Sequence, residues 1–121
     1  MLKIIREKVI PVSGDLVLEG LGLKPSVRKT LTSEVQVILN SAASINFDDP
    51  IREALQINYF GAMRILDLAH DCTQLIAMHH VSTAFVNSNL PNNSVCTEQV
   101  LPWAGGEDWE EWIHSLINME P

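Results

Sequence analysis

The stretch Met78-His79-His80-Val81-Ser82-Thr83-Ala84-Phe85-Val86-Asn87, entered through Leu75-Ile76-Ala77, is an apolar run that ends in two adjacent hydroxyls. A short apolar run bounded by polar residues suits a buried parallel strand. Hydroxyls at the carboxyl end of such a strand project into the crevice where open α/β sheets bind their ligands. Ser82 and Thr83 therefore either satisfy loop backbone locally or belong to a site, and the rest of the chain bears on which.

The 121 residues leave room for about one domain with a modest core. Hydrophobic residues make up 46% and charged ones 19%, a globular rather than a disordered composition. Fifteen acids against eight bases give a formal charge of -7, which argues against a surface that tracks nucleic-acid phosphates. All eight bases, from Lys3 to Arg64, precede His70. Cys72 and Cys96 are too few for a disulfide framework and lack a C-x-x-C spacing, so a reduced, intracellular setting is expected. No uncharged stretch is apolar enough for long enough to span a bilayer. His70, Cys72, His79 and His80 do not suggest a metal, because consecutive strand residues point to opposite faces.

Working outward from the central run, Asp49-Pro50 opens a helix, with Asp49 expected as N-cap and Pro50 as first helical residue. Ile51, Ala54, Leu55, Asn58, Ala62, Ile65 and Ala69 fall on one face of it. Asn58 is the odd member: it either brackets two strand ends or joins a polar network in a site. Gly61, one turn on, permits close helix packing. Before that helix, Val35-Gln36-Val37-Ile38-Leu39 reads as a strand that runs into Asn40-Ser41-Ala42-Ala43-Ser44. Small residues there make either a tight turn or a place where a flat ligand approaches the backbone. Pro25 to Leu31 reads as a short helix, Leu16 to Leu23 as a loop, and Val9 to Asp15 as a strand closing in a Gly14-Asp15 turn, although Pro11 suits only an edge. Toward the carboxyl end, an Asn-rich loop leads to an acidic amphipathic helix within residues 99–121, with Trp109, Trp112, Ile113 and Leu116 on its apolar stripe.

Strand, helix, strand, helix, strand is the grammar of a parallel α/β sheet. The expected fold is thus a partial Rossmann-like parallel sheet of about three strands with crossover helices, an incomplete domain. Right-handed crossovers would gather Gly14-Asp15, Ala42-Ala43-Ser44 and Ser82-Thr83 along one rim.

Four motifs in this order carry a family resemblance: Val12-Ser13-Gly14-Asp15-Leu16 followed by Leu21-Gly22-Leu23; Ala42-Ala43-Ser44-Ile45-Asn46-Phe47-Asp48-Asp49; Ile57-Asn58-Tyr59-Phe60-Gly61-Ala62; and His80-Val81-Ser82-Thr83-Ala84-Phe85-Val86-Asn87. From about Lys8 to about Glu98 the chain resembles the alcohol-forming fatty acyl-CoA reductases, extended short-chain dehydrogenases with an N-terminal Rossmann domain. The resemblance implies an NADPH site in which Asp15 meets the adenine and Ala42 and Ala43 lie against the cofactor. Gly14, Leu16, Ser44 and Val81 flank them as cofactor-binding positions. It also implies a catalytic group in which Thr83, with Ser82 beside it, hydrogen-bonds the substrate carbonyl and Asn58 helps to hold a catalytic lysine. Asn40-Ser41 stands where the family usually has His-Cys.

The implied reaction carries hydride from NADPH to a long-chain fatty acyl thioester and then to the aldehyde, giving the fatty alcohol, with a tyrosine acid assisted by a lysine four residues on. Tyr59 is the only tyrosine, Met63 lies four residues beyond it, and no lysine follows Thr83. The glycine-rich loop that cradles pyrophosphate is absent as well. The expectation is therefore an interior piece of a Rossmann domain, inactive alone, from a family whose complete members are often peroxisomal or associated with the endoplasmic reticulum. Two other readings stand beside it. One is the thioester reductase domain of carboxylic acid reductases and peptide synthetases, which shares Gly-Asp and Leu-Gly-Leu. The other is a non-catalytic α/β module that uses Trp103, Trp109 and Trp112 as a partner surface. A truncated sheet would also expose apolar strand faces and an unpaired edge, which favours self-association.

Overall fold

The computed structural model describes residues 6–99 and 108–119. Strands β1 (Val37–Asn40) and β2 (Ala77–His80) pair in parallel, with Val37 opposite Ala77 and Asn40 opposite His80. The helical crossover between them has three parts: α2 (Ile51–Leu55), one π-helical turn (Gln56–Phe60) and α3 (Gly61–Asp71). The backbone stays in the right-handed helical region across both junctions. Helix α1 (Pro25–Glu34) precedes β1, and α4 (Trp109–Asn118) follows β2 at a distance along the chain.

Alternation of side chains sorts the sheet into two faces. Ile38 and Asn40, with Met78 and His80 beside them, share one face, and Asn40 is buried there. Val37 and Leu39 occupy the other and are 57% and 69% exposed. β1 is thus covered on one face, while in β2 Ala77 and Met78 are half-buried and His79 and His80 exposed, so the run expected to be a buried strand is fully buried on neither face.

Pro25 starts α1 at a position where its missing N–H costs nothing. The far end of that helix is closed by the turn after α3. The Thr73 N–H and Oγ1 both donate to Thr32 O, and Gln74 Nε2 donates to Ser33 O at 2.7 Å. Helix α4 begins with Asp108 accepting from the Glu110 N–H at 2.9 Å, and it carries the expected apolar stripe. Trp103 and the other residues at 100–107 lie outside the described residues.

The buried apolar groups among the described residues are Leu21, Leu68, Ala69 and Cys72. Leu21 reaches them from a short left-handed turn, in which Gly20, Leu21 and Gly22 have φ of 58°, 62° and 59°.

Two expectations need correction. The segment Val9 to Asp15 joins no sheet among the described residues, which contain two strands rather than three. Pro11 has no N–H to give, and the Asp15 N–H is committed to Leu21 O at 2.9 Å. The segment stands away from α1 and leaves a cavity of about 680 Å³ lined in part by Ile10, Val12, Val27 and Leu31. Nor does Asp49 cap the helix. Pro50 occupies the N-cap and accepts the Ala54 N–H, while the Asp49 carboxylate accepts from Ser44 Oγ at 2.5 Å and Asn46 Nδ2 at 2.6 Å. Two side-chain donors in the loop hold that carboxylate away from the helix end.

Candidate functional site

Parallel pairing places the carboxyl ends of β1 and β2 on one edge, so Ser41 to Ser44 and Val81 to Thr83 leave the sheet side by side. The Val81 N–H donates to Asn40 O at 2.8 Å and extends the ladder by one step. Beyond the strands the two loops touch again, where the Phe47 ring meets Phe85 edge-on with centroids 5.4 Å apart. Ala42, Ala43, Ser82 and Thr83 are all exposed along this edge.

Thr83 has extended backbone and caps the short helical turn Ala84–Asn87, its Oγ1 accepting from the Phe85 N–H at 3.3 Å. An accepting hydroxyl keeps its own proton to donate. The Thr83 O–H is thus held by its oxygen and can donate to an incoming carbonyl.

Asn58 projects from the π-helical turn onto the loop after β1. Its Oδ1 accepts the Ser44 N–H at 2.8 Å and its Nδ2 donates to Ser44 O at 3.1 Å. One amide thereby satisfies both backbone groups of one residue, and this bracket fixes the loop that carries Ala42 and Ala43.

Asp15 stands in a loop and not at the end of a paired strand, and its neighbour Leu16 meets the crossover helix at Gly61 and Arg64. Its Oδ1 accepts the Val17 N–H at 2.9 Å in a local turn that does not use Oδ2. Arg64 holds the next residue, with Nη1 donating to Leu16 O at 2.8 Å and to Gln56 O at 3.3 Å. Gly61 admits Leu16 to the helix, since a Cβ on Gly61 would lie 3.1 Å from the Leu16 Cβ.

Two residues of this edge escaped the sequence reading. Asn40 is 5% exposed; its Oδ1 accepts the Ala42 N–H at 3.3 Å, which leaves Nδ2 to donate to His80 Nδ1 at 3.1 Å. A polar residue in phase with the inward-facing Ile38 was the available signal. Its partner was invisible without the register. Arg64 gave no such signal, because its partners are main-chain carbonyls, which any sequence provides.

Residues 1–112 match the family described as male sterility protein, a family of NAD-binding domains. Among similar proteins, fatty acyl-CoA reductase 8 of Arabidopsis thaliana is 39% identical over 89 residues, 73% of this chain and 18% of the relative. Fatty acyl-CoA reductase wat of Drosophila melanogaster is 39% identical over 85 residues, 70% of this chain and 16% of the relative. The alcohol-forming fatty acyl-CoA reductase of Simmondsia chinensis is 36% identical over 117 residues, 96% of this chain and 23% of the relative. The chain spans less than a quarter of the length of these curated relatives. With the parallel strands, the crossover helix and the family match over most of its length, the chain belongs to the male sterility protein family of NAD-binding domains.

Proposed function

We propose that this chain forms the central part of the cofactor and substrate edge of an NADPH-dependent fatty acyl-CoA reductase, which reduces long-chain acyl-CoA to fatty alcohol. The observation that carries this reading is the shared edge on which Ala42 to Ser44 and Val81 to Thr83 emerge from parallel strands. Asp15 Oδ2 would accept from the adenine amino group, and the small side chains of Ala42 and Ala43 would let the cofactor lie on the backbone. The Thr83 hydroxyl would donate to the thioester carbonyl and then to the oxygen on which charge develops as hydride arrives. Ser82 would sit beside it, and Asn58 would both bracket Ser44 and help to orient a lysine.

A nicotinamide cofactor, when bound, would supply hydride in two rounds, first to the thioester, with CoA leaving as its thiol, and then, from a second NADPH, to the aldehyde. The proton that completes the alcohol needs an acid with the reach of a tyrosine next to a lysine, and no lysine follows Thr83 in this sequence. The chain alone should therefore leave NADPH unoxidised in the presence of a long-chain acyl-CoA, as followed by absorbance. Steady cofactor oxidation by the isolated chain would overturn that expectation. In the full-length protein, Thr83→Ala should lower kcat by about a hundredfold or more, as loss of an oxyanion donor does, and Thr83→Ser should retain most of the rate. An alanine variant as fast as the parent would remove Thr83 from the mechanism.

The relatives reported above are named fatty acyl-CoA reductases, so the thioester reductase reading is not favoured. Trp109 packs edge-on against Tyr59, with centroids 6.2 Å apart, and is 44% exposed, so the molecule's own packing uses only part of the indole. The two free cysteines, one buried and one exposed, are compatible with an intracellular protein. Among the described residues no helix is long and apolar enough to cross a membrane.

A further inference from the structure

Arg64 is a partly buried guanidinium that the proposed chemistry does not use. Its side chain runs back two turns toward the helix start, the direction in which helical side chains lean. There Nη1 donates to Leu16 O and Gln56 O, Nη2 donates to Gln56 Oε1 at 3.3 Å, and the guanidinium carbon stands 5.8 Å from the Phe60 ring centroid. The one ion pair among the described residues is Arg28–Asp71, so Arg64 serves as a hub for carbonyls rather than as a carboxylate partner. Gln56 opens the π-helical turn, and Asn58, two residues on, brackets Ser44. Through Arg64 the loop with Asp15 and Leu16 is therefore fastened to the turn that fixes the Ala42 to Ser44 loop.

We propose that Arg64 is a positioning residue that sets the spacing between the Asp15 end and the Asn58 end of the cofactor edge, so that a whole dinucleotide engages both at once. This rests on the cofactor reading given above. A planar fork suits the task, because it can serve two carbonyls and a side-chain amide together, which a lysine ammonium on one flexible stem does poorly.

The test is equilibrium binding of NADPH, and of its adenine half 2′,5′-ADP, to the full-length protein and its variants, followed by fluorescence and calorimetry. Arg64→Met should weaken NADPH at least about tenfold while weakening 2′,5′-ADP less than about threefold, since half of the ligand does not sense the spacing. Arg64→Lys should fall between. Gly61→Ala, which keeps Arg64 but pushes on Leu16, should reproduce the pattern and decides the matter if Arg64→Met fails to fold. Equal losses for both ligands, or none for either, would reduce Arg64 to a local structural role and overturn the proposal. A parent protein that binds neither ligand would instead defeat the cofactor reading itself.

Discussion

Leu21 shows how a single residue carries opposing terms. Its φ of 62° puts an L side chain where the carbonyl crowds Cβ, a cost of about 1–2 kcal/mol. Against this, 5% exposure places the side chain in the small core, a gain of about 1.5–3 kcal/mol, and its carbonyl accepts the Asp15 N–H. The two terms nearly balance, so the turn persists because burial and the hydrogen bond act together. A reversal of the usual ranking follows. Leu21→Ala keeps the backbone cost and loses the burial, whereas Leu21→Gly loses the burial but sheds the cost. The expected outcome in urea denaturation is that both variants are less stable than the parent, with the glycine variant at least as stable as the alanine one by up to about 1 kcal/mol. An alanine variant clearly the more stable would mean that the left-handed turn does not hold in solution. The Leu-Gly-Leu motif was legible as a loop, but the left-handed state of its first leucine was not, because only the burial site explains why a non-glycine residue accepts it.

At the scale of elements, the joint between α1 and α3 separates a strong term from a weak one. Gln74 Nε2 serves a helix-end carbonyl that α1 cannot satisfy itself, whereas Arg28 and Asp71 form an exposed pair. Gln74→Ala should cost about 1 kcal/mol irrespective of salt. Asp71→Asn should cost less than about 1 kcal/mol, and that loss should vanish near about 0.5 M salt. Thermal unfolding of both variants at low and high salt checks this, and a salt-dependent loss for Gln74→Ala would contradict it. The same scale explains what the sequence could and could not tell. Both paired strands, α1, the crossover helix and the acidic helix α4 follow from local patterning, and they appear within a few residues of the expected bounds. The pairing of Val9 to Asp15 does not follow, since a strand needs a neighbour and its β-forming residues say nothing of where that neighbour lies. The Asp49 cap failed for a related reason: Ser44 and Asn46 compete for the same carboxylate, and only the folded loop shows that they win. Asn58 was legible as an anomaly on an apolar face. One of the two readings left open was a bracket between two strand ends; both bonds go instead to the backbone of Ser44 in the loop after β1.

For the whole molecule the deciding quantity is surface. Many large apolar side chains stand open to solvent among the described residues. Val37 and Leu39 lie on the open sheet face, Ile76 just before β2 is 76% exposed, and Ile10 and Val12 stand around the cavity against α1. Each strand also keeps one unpaired edge among the described residues. The net charge of -7 opposes self-contact but is screened over about 10 Å at moderate salt, which leaves the apolar term in control at short range. The isolated chain should therefore self-associate at concentrations of tens of micromolar, and more strongly as salt rises. Val37→Thr combined with Leu39→Thr puts β-branched threonine at both positions while removing apolar surface from the open face, so it should shift the chain toward monomer without unfolding β1. Sedimentation velocity over a concentration series, at low and high salt, measures both effects. A parent chain that sediments as a monomer throughout would show that the open sheet face is too weakly apolar to drive contact. A double variant that associates as strongly as the parent would move the contact to the surface around Ile10 and Val12.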